Sequence, residues 1–270
     1  MKSLLRYPGG KTRALKHITP YFPKDLTEIV SPFFGGGSIE IYYASQGVRV
    51  YGYDIFEPLT NFWQHVSEHP KEIAFMLESF FHPCTKEMFL GYQKKQTWTE
   101  DDHKLLHWQE YRACMFYALN RSSFSGATMS GGYSKQAAEK RFTQSSIDRL
   151  KNFVCPSLTV EQADFTDSLR RHDDETFIYA DPPYLLEKST LYGERGSTHK
   201  DFDHQRFAEE IKKKNNWVIS YNPHPEILEL YKDYEIVYPE WAYGMSSDKK
   251  SKEILILNVK ESEDALLVDD

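Results

Sequence analysis

The chain lacks any apolar run near the ~20 residues that a membrane-spanning helix requires, and its opening, MKSLLRYPGGKTRA, has no stretch of secretory-signal length. Cysteine is scarce. Cys84, Cys114 and Cys155 lie far apart without metal-ligand spacing, so a reducing compartment is expected, and neither a disulfide framework nor a bound metal. Positive charge is also short, with a formal net charge of −7 that on average argues against a nucleic-acid partner. The average conceals an uneven distribution. The acidic end ESEDALLVDD (261–270) reads as a flexible tail, whereas between Tyr111 and Lys151 seven basic residues face only Glu139 and Asp148. A local basic patch of that kind suits phosphate, although a solvated helical surface has the same composition.

What the chain does have is alternation. TEIVSPFF (27–34), VRVYGYD (48–54), SLTVEQAD (157–164), TFIYAD (176–181), WVISYN (217–222), YEIVYPEWAY (234–243) and KEILILNV (252–259) read as strands. SIEIYYASQG (38–47) and DHQRFAEEIKKK (203–214) read as helices, the latter with Asp203 at its N-cap. Strand–helix–strand repetition implies an α/β fold with a mostly parallel, doubly wound sheet. The last two strands have no helix between them and should form an antiparallel hairpin. Residues 61–151 interrupt the alternation with helical stretches and the polar, glycine-rich NRSSFSGATMSGGYS (120–134). They read as an insertion, dividing the chain into 1–60 with 152–260, the inserted 61–151, and the tail 261–270.

Several motifs fall at the carboxyl ends of these strands. DPPY, Asp181-Pro182-Pro183-Tyr184, follows an apolar strand that must stop at Asp181, because proline cannot extend a ladder. An acid and an aromatic are thereby held on a stiff turn. FFGGGS (33–38) opens a helix, where glycines permit a tight turn and close approach of a ligand; a purely structural turn is the alternative. Asp54 ends the second strand, the usual place for an acid that holds ribose hydroxyls, or for a cap on the next helix. Asp164-Phe165 ends the third. RYPGGKT (6–12) is no phosphate-binding P-loop, since the required first glycine is Leu5 and no strand precedes it.

RYPGGK, FFGGGS, Asp54, Asp164-Phe165 and DPPY, in that order, resemble the Dam-type (D12 class) DNA adenine-N6 methyltransferases over nearly the whole chain to about residue 260. The resemblance implies a Rossmann-like methyltransferase sheet with an inserted, mainly helical target-recognition domain. It implies S-adenosylmethionine as methyl donor, adenine in a short duplex DNA sequence as acceptor, and extrusion of that adenine from the stack. It places Tyr7, Gly10 and Lys11 against the methionine part of the donor, and Phe34, Gly35 and Gly37 beneath it. Asp54 with Ile55 would lie at its ribose, and Asp164 with Phe165 at its adenine. Asp181, Pro182, Pro183 and Tyr184 would be catalytic. A cytoplasmic setting follows, bacterial or virus-encoded, and a cognate restriction nuclease is admitted as a partner at the pathway level.

In the insertion the resemblance thins. Relatives that methylate GATC carry an Asn-x-Pro-x-Gly-x-Tyr-like hairpin, absent here, so that specificity does not carry over. Arg112, Asn120, Arg121, Ser122, Ser123, Tyr133 and Lys135 are chemically able to read base edges or phosphates, as is Lys200 in STHKDFDH (197–204), a candidate flap. DPPY chemistry on cytosine N4 or on RNA, and a catalytically idle DNA-binding module, are the rival readings.

Overall fold

A computed structural model describes residues 1–95, 106–185, 202–239 and 253–259. Lys200, most of the candidate flap and the acidic tail lie outside the described residues. Among the described residues seven strands form one sheet: β1 (Glu28–Ser31), β2 (Arg49–Asp54), β3 (Leu158–Gln162), β4 (Ile178–Ala180), β5 (Trp217–Tyr221), β6 (Glu235–Val237) and β7 (Ile254–Asn258). Their order is β3-β2-β1-β4-β5-β7-β6, with every described pairing parallel except those of β7, which runs antiparallel between β5 and β6. The expected antiparallel ending is present, with the last strand inserted between its predecessors. β1 stops short of the expected residue 34 because Pro32 brings no N–H to the ladder.

Successive side chains on each strand enter different cores, as a period of two requires. Ile29, Tyr179, Val218 and Leu255 join one apolar cluster, and Val30, Ile178, Ala180, Ile219 and Ile254 join the other. The glycine loop leads into α1 (Ser38–Ala44). Between β2 and β3 come α2 (Glu57–Glu68), α3 (Pro70–Met76), α4 (Lys86–Lys95), α5 (Trp108–Ser122), α6 (Lys135–Arg141) and α7 (Gln144–Lys151). Phe62, Trp63, Ile73, Phe89, Phe116 and Leu150 from these helices share the first core with β1, β2 and β4. The boundary expected at residue 61 falls inside α2, whose apolar stripe continues across it. On the other face lie α8 (Phe165–Arg170), α9 (His204–Ile211) and α10 (Pro225–Leu230). Asp203 caps α9 as expected, its carboxylate accepting the Arg206 N–H at 2.9 Å.

The chain turns from building outward through β2 and β3 to building the other way from β4. The crevice at this switch, between the carboxyl ends of β1 and β4, is where open α/β sheets bind ligands.

Candidate active site

All fourteen residues expected to be catalytic or donor-binding line one cavity of about 870 Å³ at this crevice, within the ~300–1,000 Å³ usual for small-molecule sites. The glycine loop forms its floor. Gly37 has φ of 62°, and a Cβ there would sit 2.6 Å from Phe34 Cζ, so only glycine fits without moving that ring. Asp54 ties this loop to β2: Oδ2 accepts the Gly35 N–H and Oδ1 the Phe56 N–H, both at 3.0 Å. The Gly35 carbonyl is held in turn by Trp63 Nε1 at 3.0 Å. Asp54 thus orders the turn before α2 and lines the cavity, so both expected roles meet in one carboxylate. Ile55 beside it is exposed.

At the third strand's end, Asp164 caps α8 by accepting the Thr166 N–H at 2.9 Å. Its two oxygens also receive Arg206 Nη2, each at 2.8 Å, and the same guanidinium lies 4.4 Å from the centre of the Phe165 ring. Phe33, Phe202 and Phe207 surround that ring. Sequence reasoning missed Arg206, which reads there as one more basic residue on a polar helix face.

The charged centre stands at the tip of β4. Lys11 Nζ lies 2.7 Å from Asp181, 3.7 Å from Glu253 at the start of β7, and 3.1 Å from the Gly9 carbonyl. It also sits 5.1 Å above the centre of the Tyr184 ring. Lys11 is therefore surrounded by carboxyl groups while it lines the cavity. Its geometry assigns it to holding Asp181. Burial alone would lower the Lys11 pKa; Asp181, Glu253 and Glu40 reverse this and leave it above the usual lysine value. Asp181 is also raised, because lost hydration outweighs the attraction of Lys11. Asn222 Nδ2 donates to the Leu185 carbonyl at 2.8 Å and fixes the segment after Tyr184.

Glu40 and Glu253 escaped the sequence reading. Each is a lone acid in an apolar element, in SIEIYYA and KEILIL, and that is the signal that could have found them. Glu40, 3 % exposed, accepts Ser31 Oγ–H at 2.8 Å. Burial pushes its pKa up to about 7, with Asp181 adding to the rise. A carboxyl that keeps its proton longer in the folded state than in the unfolded chain makes stability fall as pH rises from about 4.5 towards 7. Glu40→Gln should flatten that part of the stability curve, by a few kcal/mol at most; melting temperatures across this pH interval check it.

The candidates for DNA contact are placed differently from expectation. Arg112 is buried and donates to Glu57 and Gln109, through Nη1 at 2.7 and 3.0 Å. Asn120 is fully buried, accepting the Arg6 N–H at 2.9 Å and donating to the Arg6 carbonyl at 2.8 Å. Ser123 Oγ accepts the Thr128 N–H at 3.0 Å, and Ser122 is buried beside it. These four are buried, and Arg112, Asn120 and Ser123 are hydrogen-bonded within the fold. Arg121 is buried too, its Nε donating to the Arg141 carbonyl at 2.7 Å. Tyr133 is half-buried and donates to the Cys84 carbonyl at 3.3 Å. Lys135 is exposed, 3.8 Å from Glu139.

A doubly wound sheet with a glycine loop at its switch point, carboxylates at the tips of β2 and β3, and Asp-Pro-Pro-Tyr after β4 defines a methyltransferase-type group-transfer enzyme. The chain belongs to the D12 class N6 adenine-specific DNA methyltransferases, whose family model matches residues 7–245. It is 24% identical to the Type II methyltransferase M1.LlaDCHI of Lactococcus lactis subsp. cremoris, over 96% of this chain and 95% of that one. It is 25% identical to the DNA adenine methylase of Escherichia coli K12 over 70% of this chain and 67% of that one. The Type II methyltransferase M.CviBI of Paramecium bursaria Chlorella virus NC1A is 21% identical, over 68% and 69%. The protein is a DNA adenine-N6 methyltransferase and uses a methyl donor. No helix among the described residues is long and apolar enough to cross a membrane.

Proposed function

We propose that the donor is S-adenosylmethionine, and that the chain methylates N6 of an adenine extruded from duplex DNA at one short recurring sequence. The observation that carries this reading is the Lys11–Asp181 pair, which shares a cavity with the glycine loop, Asp54 and Asp164-Phe165. The donor set fits an adenosine-bearing cation: Asp54 suits ribose hydroxyls, Asp164 with Phe165 suits a purine, and the acidic surroundings of Lys11 favour positive charge. When bound, the donor supplies an electrophilic methyl group on sulfonium sulfur.

An exocyclic amine is a weak nucleophile because its lone pair is conjugated into the ring. The Asp181 carboxylate and the Pro182 carbonyl would accept hydrogen bonds from N6, favouring a more tetrahedral nitrogen. Transfer to N6 would leave the carbon–sulfur electron pair on the donor and collect positive charge on that nitrogen. Asp181 stabilises that charge and takes the proton that N6 releases, a task its raised proton affinity suits. Stacking on Tyr184 would offset about 1–3 kcal/mol of the cost of extruding the base. Pro182 and Pro183 keep acceptor and ring in one frame. No covalent intermediate with the enzyme is needed. Residues 61–151 serve in this reading as the target-recognition segment. In this reading the enzyme acts in a bacterial cytoplasm or a virus-infected cell, with a restriction nuclease as a pathway-level counterpart; names of bacterial and viral relatives support the setting.

The test incubates purified protein with labelled S-adenosylmethionine and unmethylated genomic DNA, then maps modified bases by sequencing. N6-methyladenine in one recurring motif is expected, with duplex DNA preferred over single strands and RNA. Incorporation into RNA alone, or at cytosine N4, would overturn the reading.

A further inference from the structure

Four arginines from distant parts of the sequence gather around the end of α5, one of them, Arg6, directly preceding the cavity-lining Tyr7. Arg121, in the last turn of α5, is 8% exposed and lies 5.8 Å from the centre of the Tyr117 ring. Its Nε holds the carbonyl of Arg141, the last residue of α6. Arg6 arrives from the amino-terminal motif, clasped by Asn120 and donating through Nη1 to the Ser123 carbonyl at 3.3 Å. Arg149 stands on α7, and it and Arg141 are exposed.

Among the described residues, no ion pair joins any of the four to a carboxylate; the nearby Asp148 accepts from Gln144 at 3.0 Å instead. The arginines act on one another. Burial and then Arg141 lower the Arg6 pKa. Arg121 is pushed down to about 10, by burial first and then, against the opposing effect of Tyr117, by Arg149, Arg6 and Arg141.

Gathering like charges around a buried guanidinium is costly, and proteins ordinarily relieve it with an anion. Planar guanidinium forks match phosphate oxygens. Arg6 directly precedes Tyr7, which lines the cavity, so an anion held here would lie next to whatever enters it. We propose that Arg6, Arg121, Arg141 and Arg149 form a phosphate site for the DNA backbone beside the extruded nucleotide. The site rests on the reading of duplex DNA as the acceptor. It accounts for a nucleic-acid enzyme with a net charge of −7: the positive charge that matters is concentrated where the backbone must pass.

The test compares wild type with Arg141→Ala/Arg149→Ala, both on exposed side chains, so that the fold survives. Binding of a fluorescein-labelled duplex is followed by anisotropy across a series of KCl concentrations. Lys24→Ala/Lys232→Ala, which removes the same charge near the amino ends of β1 and β6, is the control. The arginine pair should lower the steepness of log K against log salt by about two and weaken binding by roughly tenfold for each arginine near 0.1 M salt. The control should leave the slope unchanged. Wild-type slope and affinity in the arginine variant would overturn the site. A wild type with no salt dependence would instead overturn duplex DNA as the acceptor, and the site with it.

Discussion

Asp181→Ala is expected to lower the rate of methyl transfer by a factor on the order of 10³ or more while changing donor affinity little. Removing one preorganised partner of developing charge typically costs 10²–10³, and here the same carboxylate also receives the proton. The fold should persist, because Glu253 lies 3.7 Å from Lys11 and keeps it paired. Asp181→Asn retains a carbonyl acceptor but loses the charge, and should fall between wild type and alanine. Single-turnover transfer of labelled methyl groups, with calorimetry of donor binding, separates the two effects. Undiminished turnover in Asp181→Ala would sink the mechanism.

Lys11→Met should reach both stability and catalysis. Lys11 faces Asp181, Glu253 and Glu40, all at the buried end of the cavity. Breaking a buried pair by removing one partner costs roughly 3–5 kcal/mol, which for a chain of this size is about 10 °C or more in melting temperature. The loss should shrink as pH falls from 8 towards 6, because the abandoned carboxyl groups can then take up protons. Adding Glu40→Gln should restore part of it, as expected for residues that share one charge balance. Thermal melts of the single and double variants measure this. A pH-independent loss would mean that Lys11 acts only by filling space.

The site was legible in the sequence where backbone chemistry left few alternatives. Two prolines after an apolar strand can only end it, and a triple glycine before SIEIYYA can only be a close turn, so Asp181 and Phe34–Gly37 were placed correctly. Strand ends were read too long wherever side-chain pattern outlasted hydrogen bonding: YEIVYPEWAY contributes only Glu235–Val237 among the described residues. The polar segment after Leu119 was the least legible. Asn120, Ser122 and Ser123 have the composition of a base-reading loop, yet Asn120 ties down Arg6, which is 114 residues away. Composition does not say whether a polar group faces solvent or a distant stretch of backbone. Nor does it reveal that Glu40 and Glu253, each a lone acid in an apolar element, meet around one lysine.

That meeting has a consequence in time. Lys11 precedes every strand of the sheet in the chain, and Glu253 directly precedes β7, which fills the gap between β5 and β6. Until the ribosome has released β7, the sheet is open at that position and the charge balance around Lys11 is incomplete. A nascent or prematurely terminated chain would hold the glycine loop and DPPY without the finished centre. Competence to modify a genome would then arrive only once β7 has closed the sheet, and chromosomal adenines would be shielded from half-made enzyme.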